Sequence, residues 1–202
     1  MGLIRVTTPT FANEPLTLAE VRAHLREPVS GDATTDAEVD TYLQALVATA
    51  RAAAEARCQR TIAAANWKLT LDSFPPQITL PMPRVTAVTQ IDYRDPDGVL
   101  TLLDSAGYTL DAESEYSNWV YPAFGYSWPQ TWTAPNGVAV YYTAGWAQAE
   151  VPAEIKMWMK LAIGAWYDVR SGMDVAPLPM QAFELPPQFF QSLLEPWMVL
   201  LP

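Results

Sequence analysis

One cysteine and one histidine in 202 residues leave little room for metal or thiol chemistry. A structural zinc site takes four Cys or His ligands, and a lone cysteine forms no internal disulfide. Cys58 falls on the apolar stripe of a long helical stretch, the setting of a buried, inert thiol. His24 lies between Arg22 and Arg26, as a surface or interface residue. Cations are scarce too: 12 Lys and Arg against 22 Asp and Glu leave a formal charge of −10. Such a surface repels a phosphate backbone, which disfavours tight nucleic-acid binding and suits a protein past which DNA moves without sticking. No apolar run reaches the roughly 20 residues of a membrane span, and MGLIRVTTPT lacks a signal-peptide core. Myristoylation from Gly2 is not expected either, because position six is Val6 where Ser or Thr is wanted. The expectation is a soluble protein made in a cytoplasm, with no membrane partner. No G-x-G-x-x-G, P-loop or G-x-S-x-G occurs; Gly125-Tyr126-Ser127 runs into Trp128-Pro129, which is no nucleophile elbow. No cofactor, metal or catalytic residue is assigned.

What is present is apolar: half of the residues are hydrophobic, enough for a proper core in one domain, or one and a small extra. The chain is organised around Val39–Arg60. Val39, Tyr42, Leu43, Leu46, Val47, Ala50, Ala53, Ala54 and Cys58 recur at the spacing of one helical face. Thr35 with Glu38 reads as its capping box, and Arg57 and Arg60 complement the dipole at its far end. Upstream, Thr17 and Glu20 form a second capping box before the short stripe Leu18, Val21 and Leu25, which ends ahead of Pro28. A third helix opens at Pro152 and Glu154, carries Ile155, Met159, Ala162, Ile163, Trp166 and Tyr167, and ends near Arg170. Leu43, Leu46 and Val47 are expected to pack on Ile155, Met159 and Ile163.

Between the second and third helices the period changes to two. WKLTLDSF, QITLP, VTAVTQIDYR, VLTLL, YTLD and VAVYYTAGW read as strands, with a hairpin over 85–103 turning at Asp95-Pro96-Asp97-Gly98. In VTAVTQIDYR, Val85, Ala87, Thr89, Ile91 and Tyr93 alternate onto one face. Residues 111–137 read as loop-rich. The fold class is therefore α+β. An N-terminal arm covers 1–15, a small helical bundle 16–66 and 147–170, a β-rich insertion 67–146, and an extended C-terminal arm 171–202. That last arm has no Lys or Arg and six prolines, yet is dense in apolar residues. It has the composition of a segment that orders on an outside surface, with the core upstream folding without it.

Three clusters invite a chemical reading. Asp95, Asp97 and Asp104 have a faint calcium-loop look, but Tyr93 stands at the first ligand position and a hairpin turn explains them better. Asp111, Glu113 and Glu115 offer carboxylates for glycoside hydrolysis, without a partner to raise the pKa of a general acid. Tyr116, Trp119, Tyr121, Phe124, Tyr126, Trp128 and Trp132 would make an aromatic platform, or fill gaps in irregular backbone. The platform supports an alternative function, a carbohydrate- or peptide-binding module built on the β region.

The order of TLAEVRAHLR, the alanine-rich helix ending in ARCQRTI, WKLTLDSFP, ITLPMPRVTAVTQIDYRDPDG, VAVYYTAGW and VPAEIKMWMKLAIGAWYDVR resembles the head–tail adaptor (connector) proteins of long-tailed bacteriophages. Within them it is similar to the branch with a β-rich insertion, over residues 16–170. The resemblance implies a helical bundle that assembles into a dodecameric ring beneath the portal protein of a filled head. It also implies that the ring carries a stopper or head-completion protein, lets DNA pass without specific binding, and has no catalytic site. The expected location is the neck of a phage, prophage or gene transfer particle, after production in a bacterial cytoplasm. In that family the C-terminal segment reaches the portal, which places the portal interface on the arm, with Phe189, Leu193, Leu194 and Trp197 as expected anchors.

Overall fold

A computed structural model describes residues 2–132, 135–168 and 192–199. The chain divides into two compact units, residues 1–9 with 60–146 and residues 10–59 with 147–202. The mixed content is that of an α+β protein. The first unit begins at Arg60 and takes in the N-terminal strand, so the stretch 1–15 is shared between the units.

The second unit is helical. Helix α1 (Leu18–Leu25) opens on the capping box read from sequence: Thr17 Oγ1 accepts from Glu20 N at 3.2 Å and Thr17 N donates to Glu20 Oε2 at 2.9 Å. Helix α2 (Ala33–Cys58) starts earlier than expected. Its N-cap is Asp32, whose carboxylate accepts from Thr34 N at 3.3 Å and from Thr35 Oγ1 at 2.6 Å. A charged acceptor on the preceding turn thus takes the hydroxyl that the Thr35–Glu38 box would have used. The other end closes on Gln59 in the left-handed region, so Arg60 lies outside the helix. Helix α3 (Ala153–Asp168) buries Ile155, Trp158, Met159, Ala162 and Ile163. It packs on α2, whose buried face is Leu43, Leu46, Val47, Ala50, Ala54 and Cys58. Two charged residues, Arg51 and Glu55, are also buried on α2.

The first unit holds two antiparallel sheets. The larger has the order β1 (Gly2–Arg5), β2 (Ala65–Leu71), β8 (Val138–Ala144), β4 (Val85–Arg94), β5 (Leu100–Leu102). The smaller is β3 (Ile78–Leu80), β7 (Asn118–Pro122), β6 (Tyr108–Asp111). Strand β7 lies in the region that reads as loop. It is short and ends at Pro122. Central β8 buries Val138, Val140, Tyr142 and Ala144 in strict alternation. Strand β4 does not alternate: register shifts at Val85/Ala87 and Val88/Gln90 leave Ala87 and Thr89 exposed while Val85 and Ile91 stay buried. The core of this unit joins Trp67, Leu69, Val140 and Tyr142 with Ile78, Leu80 and Val120 of the smaller sheet.

Candidate interaction surfaces

Two of the carboxylates singled out for hydrolysis, Asp111 and Glu115, make structural contacts. Glu115 forms ion pairs with Arg84 at 3.4 Å and with Arg60 at 4.0 Å, and Asp111 Oδ1 accepts from Glu113 N at 3.2 Å. Among the described residues no group of three His, Cys, Asp or Glu is placed to hold a metal. The Asp95–Gly98 stretch is a hairpin turn: Asp95 Oδ1 accepts from Asp97 N at 3.0 Å and Val99 N at 2.9 Å, and Gly98 takes φ +80°. An aspartate that receives two backbone N–H groups is a turn residue.

The aromatic run divides. Trp128 stacks on Phe74 with ring centres 4.8 Å apart, and its Nε1 donates to Pro76 O at 3.3 Å, so it belongs to the packing of the unit. Phe124 stands fully exposed at the tip of a turn in which Tyr126 N donates to Ala123 O at 2.8 Å and Gly125 has φ +81°. Tyr126 and Trp132 are exposed nearby in sequence. Tyr116 lies 5.4 Å from the guanidinium of Arg60, which sits over Trp146 on another side at 5.2 Å. Arg60 is fully buried, and its Nη2 donates to Glu115 O at 2.7 Å. Reading Arg60 as a helix-terminal charge missed this. A delocalised cation between aromatic faces is stable when buried, and the tryptophan that receives it is 86 positions further along the chain, beyond any local pattern.

The described end of the chain lies in the helical unit. Leu194 is buried, Leu193 and Trp197 are half-buried, and Phe189 lies outside the described residues. Val199 N donates to Cys58 O at 2.9 Å, which meets one of the orphan carbonyls at the end of α2. A cleft of about 520 Å³ beside this segment is lined by Arg57, Leu194, Glu195 and Met198. Residues 192–199 therefore pack on their own subunit through Leu194 and Val199, while residues 171–191 and 200–202 of the expected docking arm lie outside the described residues.

Acidic side chains crowd the start of α2. Hydrogen bonds from Ser30 N, opposed by some desolvation and reinforced by Ser30 Oγ, Gly31 N and Arg22, hold Asp36 below the usual carboxylate range. Thr35 Oγ1 and Thr34 N do the same for Asp32. Glu20 is raised by burial but lowered more by Thr17 and by Lys160, whose Nζ is 3.7 Å away, and ends below its ordinary value. Burial pushes the Tyr142 hydroxyl well up, and it donates to Pro81 O at 2.7 Å. Each of these groups serves a cap, a helix contact or a sheet contact.

No family profile matches the sequence, and no curated protein matches it. Solved structures do. One chain from the neck of an empty gene transfer agent particle, computed with C6 symmetry, is 26% identical with a TM-score of 0.76, covering 100% of this chain and 97% of that one. A chain from the virion of a native gene transfer agent particle is 25% identical, at TM-score 0.74 and the same 100% and 97% coverage. A third, from the neck of the native particle computed with C12 symmetry, is 24% identical with a TM-score of 0.72 and adds the fold alone. Over its whole length this chain is a relative in fold of neck and virion components of gene transfer agent particles, as a head–tail adaptor of phage-derived particles is expected to be.

Proposed function

We propose that the chain is a structural, non-catalytic component of a particle neck: the head–tail adaptor that forms a ring beneath the portal protein and carries the stopper or head-completion protein. The observation that carries this reading is the likeness to a neck chain over 100% of this sequence and 97% of that one. The C6 symmetry of the related neck supports a ring of copies. The net charge of −10 supports a ring through which DNA passes without binding. The portal contact falls to the end of the chain, with Phe189, Leu193 and Trp197 facing the partner. Leu194, buried in its own subunit, anchors the segment.

The test is reconstitution. Portal-bearing heads that lack a neck, mixed with the pure chain, should acquire a ring beneath the portal visible by electron microscopy. The Leu193→Ala, Trp197→Ala double variant should bind at least tenfold more weakly at an unchanged melting temperature, chiefly through the loss of Trp197, since tryptophan is a usual interface anchor. Heads that stay bare overturn the adaptor reading; full binding by the double variant moves the portal contact elsewhere. Glycan binding by the chain, lost in Phe124→Ala, would favour the carbohydrate- or peptide-binding module instead.

A further inference from the structure

Strands β1 and β5 are the two ends of the five-stranded sheet, and among the described residues neither has a second neighbour. With five antiparallel strands, both ends run in the same direction. The phase of their backbone bonds is set by Val6 N to Asn66 O and Leu103 N to Ile91 O, each 2.8 Å. By the alternation of an antiparallel ladder, the N–H and C=O of Leu3 point away from β2 and those of Leu100 and Leu102 away from β4. Side chains follow the register. Leu3 packs on the core. Ile4 is opposite Lys68, Thr70 is opposite Ala139, Ala139 is opposite Asp92, and Asp92 is opposite Leu102. Ile4, Leu100 and Leu102 thus share the outer face at opposite edges of one sheet. They are 60%, 63% and 64% exposed. Sheet edges are usually protected by charge, proline or a bulge; these carry apolar side chains.

We infer that neighbouring copies of this chain join edge to edge, β1 of one running parallel beside β5 of the next, so that the sheet continues across the subunit boundary. This rests on the ring reading above and names the surface that builds the ring. In a parallel ladder the inward-facing residues of the two strands have side chains on opposite faces of the sheet. Leu3 on the core face and Leu100 and Leu102 on the outer face meet that condition. The incoming Ile4 then lies in register with Leu100 or Leu102, apolar against apolar. A foreign strand could cover either edge, but a second copy matches both at once. Because the two edges run the same way, one rotation repeats the contact, which is the heterologous geometry of a ring.

The experiment uses the full chain with a single cysteine added, Ile4→Cys or Leu102→Cys; the native Cys58 is buried and stays silent. A short bis-maleimide should cross-link an equal mixture of the two variants to a dimer and neither variant alone, and the double-cysteine chain should give a ladder of multimers. Leu100→Lys with Leu102→Lys should abolish the ladder and reduce the mass measured by light scattering to that of a monomer, with an unchanged circular dichroism spectrum. The contact is overturned by oligomers that form without the mixed cross-link, by oligomers indifferent to the two lysines, or by a chain that stays monomeric at millimolar concentration. Any of these results alongside normal portal binding leaves the adaptor reading standing, whereas bare heads with an intact ladder remove that reading and not the contact.

Discussion

Arg51 donates from Nε to Oε2 of Glu14 at 2.8 Å, a buried charge pair whose members are 37 residues apart in sequence. The same guanidinium donates from Nη1 to Glu55 Oε2 at 2.8 Å, one turn further along α2. Gln148 Nε2 reaches the carbonyl of Glu14 at 2.7 Å. One cation therefore joins the chain before α1 to the middle of α2, and the amide of Gln148 brings the approach to α3 onto the same residue.

Arg51→Met should destabilise the protein by about 3–5 kcal/mol, because it leaves carboxylates buried beside an apolar side chain. Replacing Glu14, Arg51 and Glu55 together by apolar residues of similar volume should restore most of the loss. Denaturant melts of the single and triple variants decide it. A triple variant as unstable as the single one would mean that packing, not charge, is at stake.

Gly145→Ala should cost about 1–3 kcal/mol. At φ +106°, a Cβ there would meet the backbone of Ala63 at 2.9 Å and of Ala64 at 3.0 Å. That backbone is fixed on both sides, by Trp146 N to Ile62 O at 2.9 Å and Ala64 N to Trp146 O at 3.1 Å. A fall in melting temperature of less than a degree would show that the strand end moves aside freely.

Asp36→Asn should destabilise at neutral pH and lose its effect in acid. The folded-state pKa of Asp36 is lowered, foremost by the hydrogen bond from Ser30 N. Its ionisation therefore contributes stability that is fully present above the unfolded value of about 3.9 and is lost as pH falls through the lower folded value. Thermal melts of the two proteins should differ by a constant amount from pH 7 to about pH 5 and converge below about pH 4. A difference that persists into strong acid would assign the effect to shape rather than charge.

Short-range features are legible in the order of residues. The Thr17–Glu20 box, the stripes of α2 and α3, and the alternation in Val138–Ala144 depend on residues three or four apart, or two apart, and all are present except that Trp166, placed on the α3 stripe, is exposed. The turn at Asp95–Gly98 is legible for the same reason. The cap of α2 shows the limit of such reading: two local patterns compete, and the aspartate nearer the Ser30-Gly31 turn takes the hydroxyl of Thr35. The bulges in β4 erase an alternation that the sequence displays, since only the register of its neighbour β8 decides which residues face inward.

Sequence alone determined what most segments are, helix, strand or turn, with β7 (Asn118–Pro122) as the exception, and a surface with few cations, because those properties arise from neighbouring residues and from composition. Tertiary structure alone decided which segments meet. It brought Gly2–Arg5 beside β2, buried Arg60 between Tyr116 and Trp146, paired Arg51 with Glu14, and set Leu194 into the helical unit. The reason is one of range. A buried cation or an edge strand is stable only where distant parts of the chain supply carboxylates, rings or backbone partners, and no local pattern encodes where those will be.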